Sequence, residues 1–300
     1  MDRPAGRKRV LTATPVAQWA ERRGLTVFKC ADVNTPAFVE QAAALRADAA
    51  VVIAFGQKRS EPFIAALGEL AVNLHASLLP RWRGASPIHS AMLAGDYETG
   101  LSVIGLAQRM DAGLVYAQEK TVIEPTETVG ELHDRLAALG GGVVQRVLDD
   151  LQRGTLTGAA QDESLVTKAP KLSKADGTVD FDDTCYRVRC RINGLTPWPG
   201  VTVTWRDATG VERPLMLRRA KDELDLSCFI GVQRKREPRP GAVLEGYRVA
   251  CADGAVRLLE VQSPGGAVMA VEAFARGRGL RAGDVMTARR AEGEEAKPQA

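Results

Sequence analysis

The chain has 300 residues, of which 45% are hydrophobic and 26% charged, and its formal net charge is +3. This is the composition of an ordinary globular protein, and so small a charge excludes a protein that binds polyanions over its whole surface. No apolar run is long enough to cross a membrane, and the lack of an apolar core after the first basic residues predicts that the N-terminal segment is not a secretory signal. Five scattered cysteines without a Cys-x-x-Cys spacing argue against a zinc knuckle and predict a cytoplasmic location.

Strands and helices alternate through the first half of the chain, which predicts an α/β domain over residues 1–154. The apolar run at 49–55 is typical of a central parallel strand that is covered on both faces. A Thr-x-x-Glu capping box at Thr128 and Glu131 predicts a long helix to residue 151. Further predicted helices lie at 16–23, 36–45, 62–70 and 87–93, and further strands at 25–28, 71–76, 101–106 and 115–123.

The pattern changes after Gly154. Residues 155–173 are polar and are predicted to form a linker. Residues 174–288 contain several short strands with little helix, which predicts a small β-barrel. The predicted strands of this barrel lie at 201–205, 214–219, 242–244, 247–251 and 256–261. The charged segment 289–300 is predicted to be disordered.

Three polar residues are better explained by a catalytic role than by packing in the core. Asn73 and His75 are two apart on a predicted strand and therefore face the same side, while Asp111 lies in a predicted turn before Gly113. An amide can donate to a developing oxyanion, an imidazole can move a proton near neutral pH, and a carboxylate can orient that imidazole. This set predicts transfer of an acyl group to an amine.

The segment around these residues resembles the methionyl-tRNA formyltransferase family. The motifs that carry the resemblance are Asn-x-His at 73–75, Ser-Leu-Leu-Pro-x-x-Arg-Gly-x-x-Pro-Ile at 77–88, Ala-Gly-Asp-x-Glu-Thr-Gly at 94–100, and Asp-x-Gly at 111–113. Outside this core, Asp-Arg-Pro-Ala-Gly-Arg at 2–7 resembles a basic tRNA-contacting loop of the family. Ala-Pro-Lys-Leu at 169–172 and Asn-Gly-Leu-Thr-Pro-Trp-Pro-Gly at 193–200 resemble the entry to its C-terminal barrel.

The resemblance implies a Rossmann-like, mostly parallel sheet domain followed by a small OB-like barrel. It also implies formyl transfer from 10-formyltetrahydrofolate to the amino group of methionyl initiator tRNA, without a metal. Asn73, His75 and Asp111 would be catalytic. The residues implied to line the folate pocket are Phe55, Gly56, Gln57, Ser77, Leu78, Leu79, Pro80 and Gly113. Arg81 and Arg83 are candidates for contact with a phosphate or carboxylate.

Two basic clusters are implied to contact the tRNA, namely Arg3, Arg7, Lys8 and Arg9 at the N-terminus and Arg234, Lys235 and Arg236 in the second half. The family has a first strand and helix before the basic loop at which this chain begins, so we expect those elements to be missing from the sheet. We expect a monomer. Two alternatives stay open at this point. One is a formyltransferase acting on a small amine, such as a sugar nucleotide or a ribonucleotide, and the other is an inactive folate- or RNA-binding remnant.

Overall fold

A computed structural model describes residues 3–5, 10–224 and 238–289. The chain divides into two compact units. Unit 1 comprises Met1–Asn73 and Gly105–Arg109, and unit 2 comprises Leu74–Ile104 and Met110–Ala300. No helix among the described residues is long and apolar enough to cross a membrane.

The described residues of unit 1 form three helices, a two-stranded sheet and two strands of a four-stranded sheet. Its elements are β1 (Arg3–Ala5), β2 (Val10–Thr12), α1 (Pro15–Arg22), α2 (Pro36–Ala44), β3 (Ala49–Ile53), α3 (Glu61–Ala65) and β4 (Leu70–His75), whose last two residues belong to unit 2. Strands β1 and β2 pair antiparallel. Phe38 and Phe63 contact each other with ring centroids 6.1 Å apart. Both helices that carry these rings begin after a Ser or Thr at the N-cap and have proline at their first or second position. Both features are common at the N-termini of helices.

Three predictions for unit 1 are wrong. Residues 25–28 form no strand, and the predicted helix at 62–70 ends at Ala65. Strand β3 is present but is not covered on both faces, because Val51 is 38% and Ile53 is 58% exposed. In the four-stranded sheet of order β3–β4–β6–β7, β3 lies at an edge. A continuous apolar run therefore predicted the strand but not its place in the sheet.

The first part of unit 2 contains a short strand, a helix, two longer strands and a long helix. Its elements are β5 (Arg83–Gly84), α4 (Pro87–Ala94), β6 (Glu98–Gly105), β7 (Val115–Val122) and α5 (Val129–Arg153). Strands β6 and β7 are antiparallel, so the sheet is mixed. The predicted capping box of α5 is confirmed, since Thr128 Oγ1 accepts from the Glu131 amide at 3.4 Å and Glu131 Oε2 accepts from the Thr128 amide at 2.9 Å.

The predicted linker contains local structure. It has a 3-10 turn at Glu163–Leu165 and the short strand β8 (Lys168–Ala169), and a second 3-10 turn at Lys174–Asp176 begins the segment predicted as barrel. Strand β8 pairs parallel with β5. An isolated bridge joins Ala159 to Val115, with backbone hydrogen bonds of 2.8 and 2.9 Å. Sequence reasoning missed these contacts because they are non-local and involve only a few residues each.

The C-terminal part of unit 2 forms the predicted barrel. Its elements are α6 (Cys185–Gly194), β9 (Val201–Arg206), β10 (Glu212–Leu224), β11 (Val243–Leu244), β12 (Arg248–Ala250), β13 (Gly254–Gln262), β14 (Val268–Ala270), α7 (Val271–Arg278) and β15 (Val285–Ala288). The strand order is β11–β12–β13–β10–β9–β15, with β14 paired to β13. Backbone hydrogen bonds from Val243 to Asp284 (2.8 Å) and from Met286 to Gly241 (2.8 Å) join the two ends of this order. Helices α6 and α7 were not predicted.

Asn193, from the motif at 193–200, has a structural contact in the barrel. It is fully buried, and its Oδ1 accepts from the Ala220 amide while its Nδ2 donates to the Ala220 carbonyl, both at 2.9 Å. This reciprocal pair satisfies the backbone of β10 where its register with β13 shifts. The Asn193 side chain therefore connects α6 to β10. Its two hydrogen bonds also offset the free energy that burial of the polar amide costs.

Candidate active site

His75 ends β4 and is only 5% exposed. Its Nε2 lies 2.9 Å from the Trp82 carbonyl oxygen. Because a carbonyl can only accept, Nε2 must carry the proton. In the neutral ring this leaves the lone pair on Nδ1, and that atom lies 3.7 Å from Asp111 Oδ2. The Trp82 carbonyl thus selects the tautomer in which Nδ1, beside the carboxylate, is free to accept a proton.

A backbone amide of β5 holds the carboxylate of Asp111 in place. Its Oδ2 accepts from the Gly84 amide at 3.0 Å, and its side chain is 9% exposed. The distance to His75 is too long for a hydrogen bond but suits an ion pair with a protonated ring. Asp111 has a φ of 55°, a left-handed conformation that Asp adopts more readily than most residues.

The loop between β4 and β5 positions the carbonyl that contacts His75. Trp82 has a φ of 63°. Its amide donates to Thr167 Oγ1 at 2.8 Å and its indole Nε1 donates to Asp96 Oδ2 at 2.6 Å. Arg81 donates to Asp96 Oδ1 at 2.7 Å. Trp82 is a functional candidate that sequence reasoning missed, and its only sequence signal was its place inside the motif.

The polar groups of residues 77–79, implied to face folate, are largely engaged within the protein. Ser77 is fully buried, and its hydroxyl donates to the Arg81 carbonyl at 2.7 Å. Ser102 Oγ donates to the Ser77 carbonyl at 2.7 Å and accepts from the Leu79 amide at 3.1 Å. Gln118 Nε2 donates to the Leu79 carbonyl at 2.9 Å. Ser102 and Gln118 therefore fix the shape of this loop from strands β6 and β7.

Leu78 and Pro80, the other implied folate residues of this loop, are both half-buried. The bond between Leu79 and Pro80 is cis. A Cβ built on Gly100 would lie 2.0 Å from the Glu119 carbonyl oxygen of β7 and 2.7 Å from Leu78 Cδ2, so β7 and Leu78 both approach that glycine closely. The glycine of the Ala-Gly-Asp-x-Glu-Thr-Gly motif therefore makes room for the loop.

Arg83 is not free to meet a ligand. It is 8% exposed, and its guanidinium donates twice to Gln161 Oε1, at 3.0 and 2.8 Å, and to Glu163 Oε1 at 3.0 Å. Gln161 Nε2 in turn donates to the carbonyls of Asp111 (2.8 Å) and Gly113 (2.9 Å). The implied site residue Gly113 is thus contacted through its carbonyl by a residue of the predicted linker.

Asn73, Phe55, Gly56 and Gln57 belong to unit 1. Asn73 is half-buried on β4, and Phe55 is 39% exposed. A side chain on Gly56 would meet nothing within 4 Å. Gln57 uses its side-chain amide within unit 1, where Oε1 accepts from the Val33 amide at 3.1 Å and Nε2 donates to the Ala31 carbonyl at 3.0 Å.

The side chains of the two basic clusters lie outside the described residues. Arg3 lies in β1, and its side chain is outside the described residues, as are Arg7, Lys8, Arg9, Arg234, Lys235 and Arg236. Their contact with tRNA stays a prediction.

His75 differs from the other two histidines. His133 is exposed on α5, with Nδ1 3.1 Å from Asp134 Oδ1. His89 is half-buried with Nε2 3.3 Å from the Trp198 carbonyl, and burial lowers its pKa. Over the described ranges, no group of three or more His, Cys, Asp or Glu could hold a metal.

One cleft of unit 2 has a volume of about 580 Å³, and its walls include His89, Trp198 and Arg218. None of the predicted catalytic or folate residues lines it. This cleft is therefore not lined by the His75–Asp111 pair.

Comparison with known proteins gives the same family over both parts of the chain. Residues 1–148 match the family model described as formyl transferase, and residues 171–279 match the model of the formyl transferase C-terminal domain. The methionyl-tRNA formyltransferase of Methylobacterium sp. (strain 4-46) is 39% identical over 93% of this chain and 87% of the relative. That of Cereibacter sphaeroides (strain KD131) is 40% identical over 92% of this chain and 85% of the relative.

A solved structure supports the fold independently. The N-formyltransferase of Helicobacter canadensis, in complex with folinic acid and dTDP-3-aminofucose, matches with a TM-score of 0.61 over 80% of each chain at 13% identity. Identity this low shows a shared fold only. The sequence relatives, in contrast, are similar along almost the whole chain. The chain therefore belongs to the formyl transferase family and, within it, to the methionyl-tRNA formyltransferases.

Proposed function

We propose that this chain transfers the formyl group of 10-formyltetrahydrofolate to the amino group of methionyl initiator tRNA, in the cytoplasm and as a monomer. The substrate follows from relatives that are named for this reaction and match most of the chain at 39 and 40% identity. The observation that carries the chemistry is the buried pair of His75 Nδ1 and Asp111 Oδ2, 3.7 Å apart. Folate as donor is supported by the family and by the folinic acid in the Helicobacter canadensis complex.

The proposed reaction begins when the amine nitrogen attacks the formyl carbon. The formyl oxygen gains negative charge, which the side-chain amide of Asn73 stabilises by donating a hydrogen bond. His75 Nδ1 takes a proton from the attacking nitrogen, and the carboxylate of Asp111 stabilises the imidazolium that forms. The C–N bond to tetrahydrofolate then breaks, and the folate nitrogen that leaves takes up that proton.

The placement of Asn73 in this scheme rests on strand periodicity. It precedes His75 by two residues on β4, so both side chains project from the same face of that strand. For the folate, we propose that backbone groups of Phe55, Gly56 and Gln57 contact the pterin ring, since the side-chain amide of Gln57 is already engaged. Ser77, Leu78, Leu79, Pro80 and Gly113 would complete the pocket.

The proposed tRNA contacts are the two basic clusters, Arg3 with Arg7, Lys8 and Arg9, and Arg234 with Lys235 and Arg236. Each phosphate that such residues neutralise adds to the salt dependence of binding. We expect a steep loss of tRNA affinity with rising salt, while folate affinity changes little.

A substrate panel tests this function. The chain is incubated with 10-formyltetrahydrofolate and either methionyl initiator tRNA, methionyl elongator tRNA, or small amines such as an amino-sugar nucleotide and glycinamide ribonucleotide. We expect formylation of initiator tRNA in strong preference to all others. Formylation of a small amine but not of tRNA would instead show a small-molecule enzyme. No turnover with any acceptor would show an inactive binding protein.

A further inference from the structure

The side-chain amide nitrogen of Gln161 donates hydrogen bonds to the turn that contains Asp111. Nε2 donates to the Asp111 carbonyl at 2.8 Å and to the Gly113 carbonyl at 2.9 Å. An amide nitrogen has two hydrogens, so both donors are engaged on the same turn. This turn contains a non-glycine residue at a φ of 55°, a conformation that is sparsely populated without such support.

The orientation of this amide is fixed from its other end. Oε1 accepts from Arg83 Nε at 3.0 Å and from Arg83 Nη2 at 2.8 Å. Because arginine can only donate, the oxygen must face Arg83 and the nitrogen must face the turn. Glu163 pairs with the same guanidinium, with Oε1 3.0 Å from Nη2.

Arg83 and Gly84 are consecutive residues of β5, and the Gly84 amide is the donor that contacts Asp111 Oδ2 at 3.0 Å. Gln161 thus joins the donor strand, through Arg83, to the acceptor turn, through the Asp111 carbonyl. The one amide ties together both partners of the hydrogen bond that holds the carboxylate beside His75.

We propose that Gln161 is a positioning residue for formyl transfer, which acts by holding the Asp111 carboxylate at its distance from His75 Nδ1. This inference rests on the proposed function. The side-chain amide of Gln161 does not act as an acid or a base near neutral pH, and it is assigned no contact with substrate. Its effect on kcat would pass through the position of the Asp111 carboxylate.

The segment that carries Gln161 is anchored independently of its side chain. On one side, the Ala159 amide donates to the Val115 carbonyl at 2.9 Å. On the other, the Arg83 amide donates to the Thr167 carbonyl at 2.9 Å and the Ala85 amide donates to the Ala169 carbonyl at 2.8 Å. Loss of the Gln161 amide should therefore release the Asp111 turn without detaching the segment.

Two substitutions separate the donor role of Gln161 from packing. Gln161→Ala removes the amide, while Gln161→Glu keeps the size and the pairing with Arg83 but has no N–H for the two carbonyls. We expect both to lower kcat by about 100-fold, the loss that a misplacement of about 1 Å can cause, with KM values for folate and tRNA nearly unchanged. The matched control is Gln145→Ala, since Gln145 is an exposed glutamine of α5 that contacts Asp149. It should retain the activity of the parent chain.

A double-mutant cycle with Asp111→Ala tests whether Gln161 acts through Asp111. In the Asp111→Ala background, Gln161→Ala should lower kcat by no more than about twofold, which is the usual scatter of additivity. A second full loss of about 100-fold in that background, or near-normal kcat for Gln161→Glu, would overturn the proposal.

Hydrogen exchange at the Gly84 amide gives a readout that does not depend on activity. We expect exchange about tenfold faster in Gln161→Ala than in the parent chain, because a weakened hydrogen bond to Asp111 protects less. Exchange should be unchanged in Gln145→Ala. A parent chain that formylates no acceptor would refute the proposed function, and the exchange rate at Gly84 would still decide for or against this role of Gln161.

Discussion

A single methyl group added at Gly84 should disturb the candidate active site. It has a φ of 134°, and a Cβ built there would lie 2.3 Å from the Ala169 carbonyl oxygen. Since non-bonded contacts are optimal near 3.5 Å, Gly84→Ala must move β5 by roughly 1 Å away from β8. Overpacking of this kind destabilises by about 1–3 kcal/mol, and alanine at this φ adds about 1–3 kcal/mol of backbone strain.

The same displacement moves the amide that contacts Asp111. We therefore expect Gly84→Ala to lower the free energy of unfolding by about 3 kcal/mol, within the range set by overpacking and strain, and to lower kcat by about 100-fold. Urea unfolding and a formylation assay measure the two effects. The matched control is Gly141→Ala, because Gly141 lies in α5 where a Cβ would meet nothing within 4 Å. It should stabilise the protein by about 0.5–1 kcal/mol. A Gly84→Ala variant with the stability and kcat of the parent chain would refute this reasoning.

Two further predictions concern charge and thiol reactivity. Hydrogen bonds from Arg219 lower the pKa of Glu131 from 4.5 to about 2, so the stability from this pair is present above about pH 4.5 and is lost as the pH falls towards 2. Because the Glu131 side chain is 49% exposed, we expect Glu131→Gln to lower the free energy of unfolding by only about 1 kcal/mol at pH 7. The variant should also lose less stability than the parent chain as the pH falls below 4.5. An equal loss of stability in acid would contradict this prediction. Burial raises the pKa of Cys185 to about 12, so this thiol should resist labelling at pH 8 in the folded state, and half-buried Cys30 should react before it. Rapid labelling of Cys185, detected by peptide mass mapping, would show that its surroundings are open.

Local sequence signals predicted those elements whose ends are set by neighbouring residues. The capping box at Thr128 and Glu131 fixed the start of α5. Helix α4 ends at Ala94 and is followed by Gly95 with a φ of 76°, as a glycine after the last helical residue predicts. The strand that carries Asn73 and His75 is present as predicted, and its burial alternates from Leu70 to Asn73. In each case the deciding interaction spans only a few residues.

Features set by distant parts of the chain were not predictable in the same way. Exposure of Val51 and Ile53 depends on where β3 lies in the sheet, which a run of apolar residues does not encode. Helix α6 carries three arginines among ten residues, so its apolar pattern is weak, although Val188 and Ile192 are fully buried.

The candidate site shows the same division. The motif identified His75 and Asp111 together, and the structure brings them within 3.7 Å. The residues that hold them came from elsewhere. Gln161 is 50 residues from Asp111 in sequence, and Thr167 is 85 residues from Trp82. Single polar residues in a polar segment carry no periodic signal, so their contacts emerged only with the fold.

The most direct test of the central claim is the turnover of His75→Gln. A glutamine amide can still donate to the Trp82 carbonyl, which His75 Nε2 contacts at 2.9 Å, but it cannot accept a proton. The control is His133→Gln, since His133 is exposed on α5. We predict that His75→Gln lowers kcat by about 10²- to 10⁴-fold, the range of general base catalysis, and that its midpoint of unfolding stays close to that of the control. A His75→Gln variant that formylates methionyl initiator tRNA at the rate of the parent chain would contradict the account.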